Sequence, residues 1–275
     1  MADDDDPVSG RRFLTEKAYA DDRHLRSRMA IWRYAEGPAD PRWRTSPVAW
    51  DGTQVVADIG CGNGFDLRQL VPDGRCRHAF AVDLSAGMLG SMDGDLRDSG
   101  RVTPIRADAQ RVPLRDAGVD VALCMHMLYH VPSIEAAVGE LRRIVRPGGT
   151  ALVSTVGGGS LTEINDLLYA AISEQAGRPV RARPTMSFTT ENGEAFLRGA
   201  FADVVLRHHE VVLSFPDAAP VTAYLDSLRE PLLLEFGEPF DYDAALAFVA
   251  AGVEREVKAA GRFRAVSRMG VFICR

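Results

Sequence analysis

Apolar positions along this chain alternate between two periods. Short apolar runs at 54–59, 79–82, 102–106 and 119–124, the first two ended by Gly60 and Asp83, have the length and composition of buried parallel strands. Between and after them the period is helical. Leu67, Leu70 and Val71 share one face, and Ile134, Ala137, Val138, Leu141, Ile144 and Val145 share another, capped by Ser133 and stopped by Pro147-Gly148-Gly149. A fifth strand is expected over 150–156. Ser160 and Glu163 have the spacing of a capping box for a helix that ends at Gly177. Phe188-Thr189-Thr190-Glu191-Asn192-Gly193 precedes a short helix with Glu191 and Glu194 in its first turn. A sixth strand falls within 202–215, interrupted by His208-His209. Two helices follow, one through Val221, Tyr224, Leu225 and Leu228, the other through Ala245, Leu246, Val249, Val253 and Val257, before a last strand over 263–274. At the other end, Leu25, Met29 and Trp32 place a helix before Gly37-Pro38, Asp40-Pro41 and Ser46-Pro47 break the pattern. Strands alternating with helices predict a doubly wound α/β sheet.

The first strand runs into Asp58-Ile59-Gly60-Cys61-Gly62-Asn63-Gly64. Glycine at every second position lets a ligand approach the backbone where a Cβ would collide, and the helix that follows offers unpaired N–H groups. The dinucleotide fingerprint G-x-G-x-x-G fails here, because Phe65 occupies its third glycine position, and no G-x-x-x-x-G-K-[ST] loop is present. The pattern that remains is D-x-G-x-G-x-G. Asp83 ends the second strand about 20 residues on, where a carboxylate can accept from both hydroxyls of a ribose.

On these residues the chain resembles the class I S-adenosylmethionine-dependent methyltransferases. Asp58, Gly60, Gly62 and Gly64 match their first motif, the stretch from Asp83 through Leu84 to Leu89 their second, and Ala107-Asp108-Ala109 their third. Leu141 through Gly149 resembles the helix and turn before their fifth strand. The resemblance implies a seven-stranded, mostly parallel Rossmann-like sheet whose last strand is antiparallel, with S-adenosyl-L-methionine as cofactor. It implies Asp83 at the ribose, Asp108 and Ala109 at the adenine, and Leu84 and Met88 beside the ring, although core packing accounts for Leu84 and Met88 almost as well. Cys61 and Asn63 in the loop and Met125 at the end of the fourth strand complete the implied cofactor surface. Tyr19-Ala20-Asp21-Asp22, with Leu25 and Arg28, resembles a segment that folds over the cofactor in several small-molecule enzymes of this class. There Tyr19 and Arg28 are placed to reach the methionine carboxylate; the alternative is a solvated helix face.

Met125-His126-Met127-Leu128-Tyr129-His130 follows the fourth strand, at its carboxyl end, where open α/β sheets bind ligands. His126, Tyr129 and His130 can each exchange a proton, so they are the candidate catalytic residues, His126 first, with a structural role open for both imidazoles. Methyl transfer is an in-line displacement that needs alignment and dryness more than a base. The formal charge of −6 argues against nucleic acid and for a small-molecule acceptor, and with the resemblance implies O- or N-methylation of a bacterial metabolite of the secondary kind. Cys61, Cys76, Cys124 and Cys274 show neither disulfide nor zinc spacing, and no metal is expected. No apolar run suits a membrane, so a cytoplasmic monomer or homodimer is expected. The chain reads as one domain: an acidic tail at 1–12, a helical cap at 13–50, a cofactor-binding core at 51–156, a lid insertion at 157–200, and the last two strands with inserted helices at 201–275. Arg178, Arg181 and Arg183 form a local basic cluster in the insertion, either an anion grip or a solvated loop. The competing function class is a cofactor-binding relative of the same fold that does not transfer methyl groups.

Overall fold

The computed structural model describes residues 14–37, 44–180, 186–236 and 240–275; the acidic tail, Pro38, Asp40, Pro41, Arg181 and Arg183 lie outside them. Seven strands form one sheet: β1 (Val55–Ile59), β2 (His78–Asp83), β3 (Val102–Arg106), β4 (Val119–Met125), β5 (Val145–Val156), β6 (Val204–Phe215) and β7 (Phe263–Cys274). Their order is β3-β2-β1-β4-β5-β7-β6, with the first five parallel and β7 antiparallel to both β5 and β6. The chain winds outward from β1 to β3, then restarts on the other side with β4. The carboxyl ends of β1 and β4 therefore meet at the switch point, where a crevice opens.

Both faces of the sheet are covered. On one, Ile134, Ala137, Val138, Leu141 and Ile144 of the helix Ile134–Ile144 pack against Ala57, Ile59, Ala122, Cys124 and Val153. On the other, Leu67, Leu70 and Val71 pack against Val56, Ala79, Val121 and Leu152. A third cluster joins the helices Thr162–Ala176, Ala219–Asp226 and Tyr242–Ala260 to Leu213, Phe215, Phe263 and Ala265 of the β6–β7 hairpin. Ile31 enters this cluster from the 3-10 turn Ile31–Tyr34, which follows the helix Arg23–Ala30.

Six expectations change. Glu191 lies ahead of the short helix Gly193–Leu197, not in its first turn, and accepts instead from Gly158 N at 2.8 Å. The helix after the glycine loop is only Leu67–Leu70, although its three apolar residues are buried as expected. The helix after Ser133 ends at Ile144, because Val145 turns extended and pairs with Val119, which starts β5 five residues early. No capping box forms at Ser160: its hydroxyl accepts from Arg268 N at 3.0 Å and Glu163 accepts from Val266 N at 3.1 Å, both on β7. The helix begins instead after Leu161, at φ +53°. His208 and His209 do not interrupt β6; they pair with Gly270 and Met269, since ladder bonds are made by backbone atoms whatever the side chain. Among the described residues three helices, not two, separate β6 from β7, the extra one being Arg229–Phe236.

Candidate functional site

The turn after β1 has the backbone that its glycines permit. Gly60, Gly62 and Gly64 stand at φ +71°, +56° and +77°. A Cβ at Gly60 would lie 2.7 Å from Met127 Cγ, so only glycine fits beneath that side chain. Gly60 N and Cys61 N donate to Val82 O at 2.8 and 3.0 Å, which fastens the loop to the end of β2. Asp83 tightens the junction. One of its oxygens accepts from Gly62 N and the other from Ser85 N, both at 2.8 Å. Burial pushes the Asp83 carboxyl up, against the pull of the Ser85, Gly62 and Leu84 N–H groups. Each oxygen keeps a second lone pair, so hydroxyl donors can still be received on its half-exposed side.

Asp58 is in a harsher setting. It is 1% exposed, and neither of its carboxylate oxygens has a hydrogen-bond partner. Burial raises its pKa well above the ordinary range, reinforced by the charge of Asp66 and offset by Arg44. A buried carboxylate without a partner is costly, and it marks a place where a cationic donor is stabilised. Arg44 and Asp66, which the motif reading missed, form an ion pair at 2.7 Å with about a tenth of each side chain exposed, and Arg44 stacks over Phe65 at 5.4 Å.

The N-terminal segment closes over this loop. Asn63 Nδ2 donates to Asp22 at 2.9 Å, Ser85 Oγ donates to Tyr19 O at 2.6 Å, and Ala20 O presses on Gly87. Met88 is buried, with its Cε 3.3 Å from a Cβ built at Gly62, while Leu84 is half-buried. Ala107 N donates to Asp83 O at 3.0 Å, which brings Asp108 and Ala109 to the same rim; Asp108 Oδ1 accepts from Gln110 N at 2.9 Å.

The third group lies at the end of β4, past buried Met125. His126 stands at φ +53°, its N–H donating to Ser154 O at 3.0 Å. Burial, assisted by the Arg44 charge, holds its imidazole down to about 3. His130 Nε2 is 2.9 Å from Tyr19 OH, and Arg28 donates to that hydroxyl at 3.4 Å while stacking over the ring at 5.0 Å. Tyr19 and Arg28 are thus together, with His130 as the second partner of the Tyr19 hydroxyl. Burial holds His130 near 3 as well, and raises the phenols of Tyr129 and Tyr224. Tyr129 packs edge-on against His130 at 4.5 Å. Tyr224, brought by the helix Ala219–Asp226, is a site neighbour for which the sequence signalled only an apolar helix face. His208 and His209 lie on the edge strand β6, apart from this cluster. Among the described residues no three His, Cys, Asp or Glu side chains stand together as metal ligands, and no helix is long and apolar enough to cross a membrane.

Residues 57–153 match the family model described as a methyltransferase domain. The chain is 35% identical over 115 residues to a malonyl-[acyl-carrier protein] O-methyltransferase of Serratia marcescens, covering 42% of this chain and 43% of that protein. It is 36% identical over 125 residues to a ubiquinone biosynthesis O-methyltransferase of Methylococcus capsulatus, covering 45% and 52%. The match thus spans about half the length of these curated relatives. Among solved structures, a putative methyltransferase of Bacillus halodurans superposes with a TM-score of 0.54 at 14% identity, over 86% of this chain and 99% of that one. A phosphoethanolamine N-methyltransferase 2 of Haemonchus contortus, solved with S-adenosyl-L-methionine, superposes at 0.55 and 18%, over 96% and 59%. At these identities the superpositions establish the fold alone.

Proposed function

We propose that this chain, whose residues 57–153 form a class I S-adenosylmethionine-dependent methyltransferase domain, moves the methyl group of S-adenosylmethionine to an oxygen or nitrogen of a small-molecule acceptor. The observation that carries this reading is the unpartnered, buried carboxylate of Asp58 beneath a glycine loop whose exit is tied to Asp83. In this assignment Asp58 holds the cofactor's ammonium end, the Gly60–Gly64 backbone allows its close approach, and Asp83 accepts from the ribose hydroxyls. Asp108 and Ala109 meet the adenine, with Leu84, Met88 and Met125 beside it. When bound, S-adenosylmethionine supplies an electrophilic methyl carbon on a cationic sulfur. The carboxylates of Asp58, Asp66 and Asp83 favour that positive charge, and the segment from Tyr19 to Arg28 shuts water out.

On the acceptor side, His126 stands where the fourth strand delivers it and is our choice for the group that meets the acceptor's proton. Burial leaves its imidazole a weak base, so it orients the acceptor through a hydrogen bond more than it removes a proton, and alignment does most of the catalytic work. Tyr129, His130 and Tyr224 form the adjoining wall. The oxygen-methylating relatives support oxygen over nitrogen as the accepting atom. The test is incubation with methyl-labelled cofactor and fractionated bacterial small-molecule extracts, with a malonyl thioester and a catechol as defined acceptors. Label recovered in a small product supports the reading. Cofactor that binds but never gives up its label, across all fractions, rejects it.

A further inference from the structure

Two buried carboxylates flank the glycine loop, Asp58 before it and Asp66 after it, and one guanidinium acts on both. Arg44 reaches them from the irregular segment ahead of β1. Its Nη2 donates to Asp66 at 2.7 Å, its plane lies over Phe65, and its Nε has no hydrogen-bond partner, so Asp66 does not exhaust it. The charged and titratable groups around Asp58 are Asp66 on the loop exit, Asp83 at the end of β2, Arg44, and the thiols of Cys61 and Cys124, with His126 also in the field of Arg44. Two of these are carboxylates and one is a cation. Ionising Asp58 with no partner, next to Asp66 and Asp83, is strongly unfavourable, so its proton stays on until a positive group arrives.

We propose that Arg44 is a positioning residue for cofactor capture: paired with Asp66, it supplies the countercharge that lets Asp58 ionise as the cofactor's ammonium arrives, so that binding expels a proton from Asp58 into solvent. The O–H bond of Asp58 breaks, its proton passes to buffer, and the carboxylate pairs with the ammonium; no other bond changes. This rests on the cofactor assignment above. It makes affinity depend on pH through a group that touches no acceptor. Affinity rises about tenfold per pH unit below the Asp58 inflection and levels off above it. Removing Arg44 moves the inflection upward, because an opposite charge at close range favours the ionised form by about one pH unit or more.

The experiment is calorimetric titration of the full chain with S-adenosylhomocysteine, which keeps the ammonium, near pH 6 in buffers of different ionisation enthalpy. There the ligand's own α-amino group, ordinarily titrating near ~8, is fully charged. The expected result is release of a sizeable fraction of about one proton, lost in Asp58→Asn. It is also absent when the ligand is 5′-methylthioadenosine, which lacks the ammonium. Arg44→Met shifts the affinity profile to higher pH, and Arg44→Lys brings it back. Heat that does not vary with buffer, or proton release that survives in Asp58→Asn, overturns the inference, and so does an Arg44→Met profile that coincides with the parent's. Should Arg44→Met not fold, the comparison of parent with Asp58→Asn still decides. Binding without proton release defeats this inference alone, whereas no binding of either ligand defeats the cofactor assignment with it.

Discussion

Gly87 offers a way to lift the N-terminal segment without touching the loop it covers. A Cβ at this position would fall 1.7 Å from Ala20 O and 2.7 Å from Ala20 C, both backbone atoms that no rotamer change can move aside. In Gly87→Ala the segment must retreat by roughly 1.5 Å or more to reach normal contact. A displacement of that size breaks the 2.6 Å bond from Ser85 to Tyr19 O, and with it the Tyr19 to His130 and Asn63 to Asp22 bonds. At ~0.5–1.5 kcal/mol each, the three amount to about 2–4 kcal/mol of docking, or roughly a 30-fold or larger shift toward the open segment. The scaffold has little reason to suffer. Gly87 lies within the short helix Ala86–Gly90, where alanine is favoured over glycine by ~0.5–1 kcal/mol. Hydrogen exchange read by mass spectrometry should show peptides within 14–36 losing protection, while peptides of the helix Ile134–Ile144 serve as the unchanged internal standard. Cofactor should restore part of the protection in the parent and less in the variant. Equal exchange of 14–36 in parent and variant would refute the idea that this segment is held by docking at Gly87.

Gly60→Ala should lower stability by ~2–5 kcal/mol, combining the left-handed backbone with overlap against Met127 Cβ and Cγ. The melting temperature should fall by roughly 5–15 °C, and an unchanged melt would show that the loop can relax. Asp83→Ala should weaken S-adenosylhomocysteine binding about 10-fold or more, since charge-assisted hydrogen bonds contribute ~1.5–3 kcal/mol; calorimetry with equal affinities would dismiss its role at the ribose. His126→Ala should lower kcat by about 10-fold or less and leave cofactor affinity intact, the size expected for one neutral orienting hydrogen bond. A loss of ~10²-fold or more would instead identify His126 as a true general base.

Spacing made the first half of the molecule legible. A strand of fixed length followed by obligatory glycines, with an acidic residue at the end of the next strand, constrains backbone and chemistry together, so the places of Asp58 and Asp83 at strand ends could be read from spacing, while Asp108 was reached through the family resemblance. The ion pair of Arg44 with Asp66 could not. It joins residues 22 apart, one on the irregular segment ahead of β1 and the other past the glycine loop, and neither residue type is unusual there. Tyr19 and Arg28 were legible as part of a covering segment, but the bond from Tyr19 to His130 spans 111 residues. The capping box at Ser160 failed for a related reason: its two side chains had the right spacing for each other, yet β7 offered them backbone donors that a local reading cannot see. Val145 shows the same competition, its apolar side chain suiting the helix while its backbone found Val119.

The covering segment is also fastened at its far end. Ala35 bridges Leu213 on the edge strand β6, Glu36 N donates to Val212 O at 2.8 Å, and the Glu36 carboxylate meets Arg264 at 2.8 Å. When the Tyr19 end lifts, it stays on a short leash, and reclosure is a first-order event at high effective concentration instead of a search through solution. A fastened strap of this kind lets ligands exchange by local opening that leaves the sheet intact, so the turnover clock can be set by the strap while the core keeps its full stability.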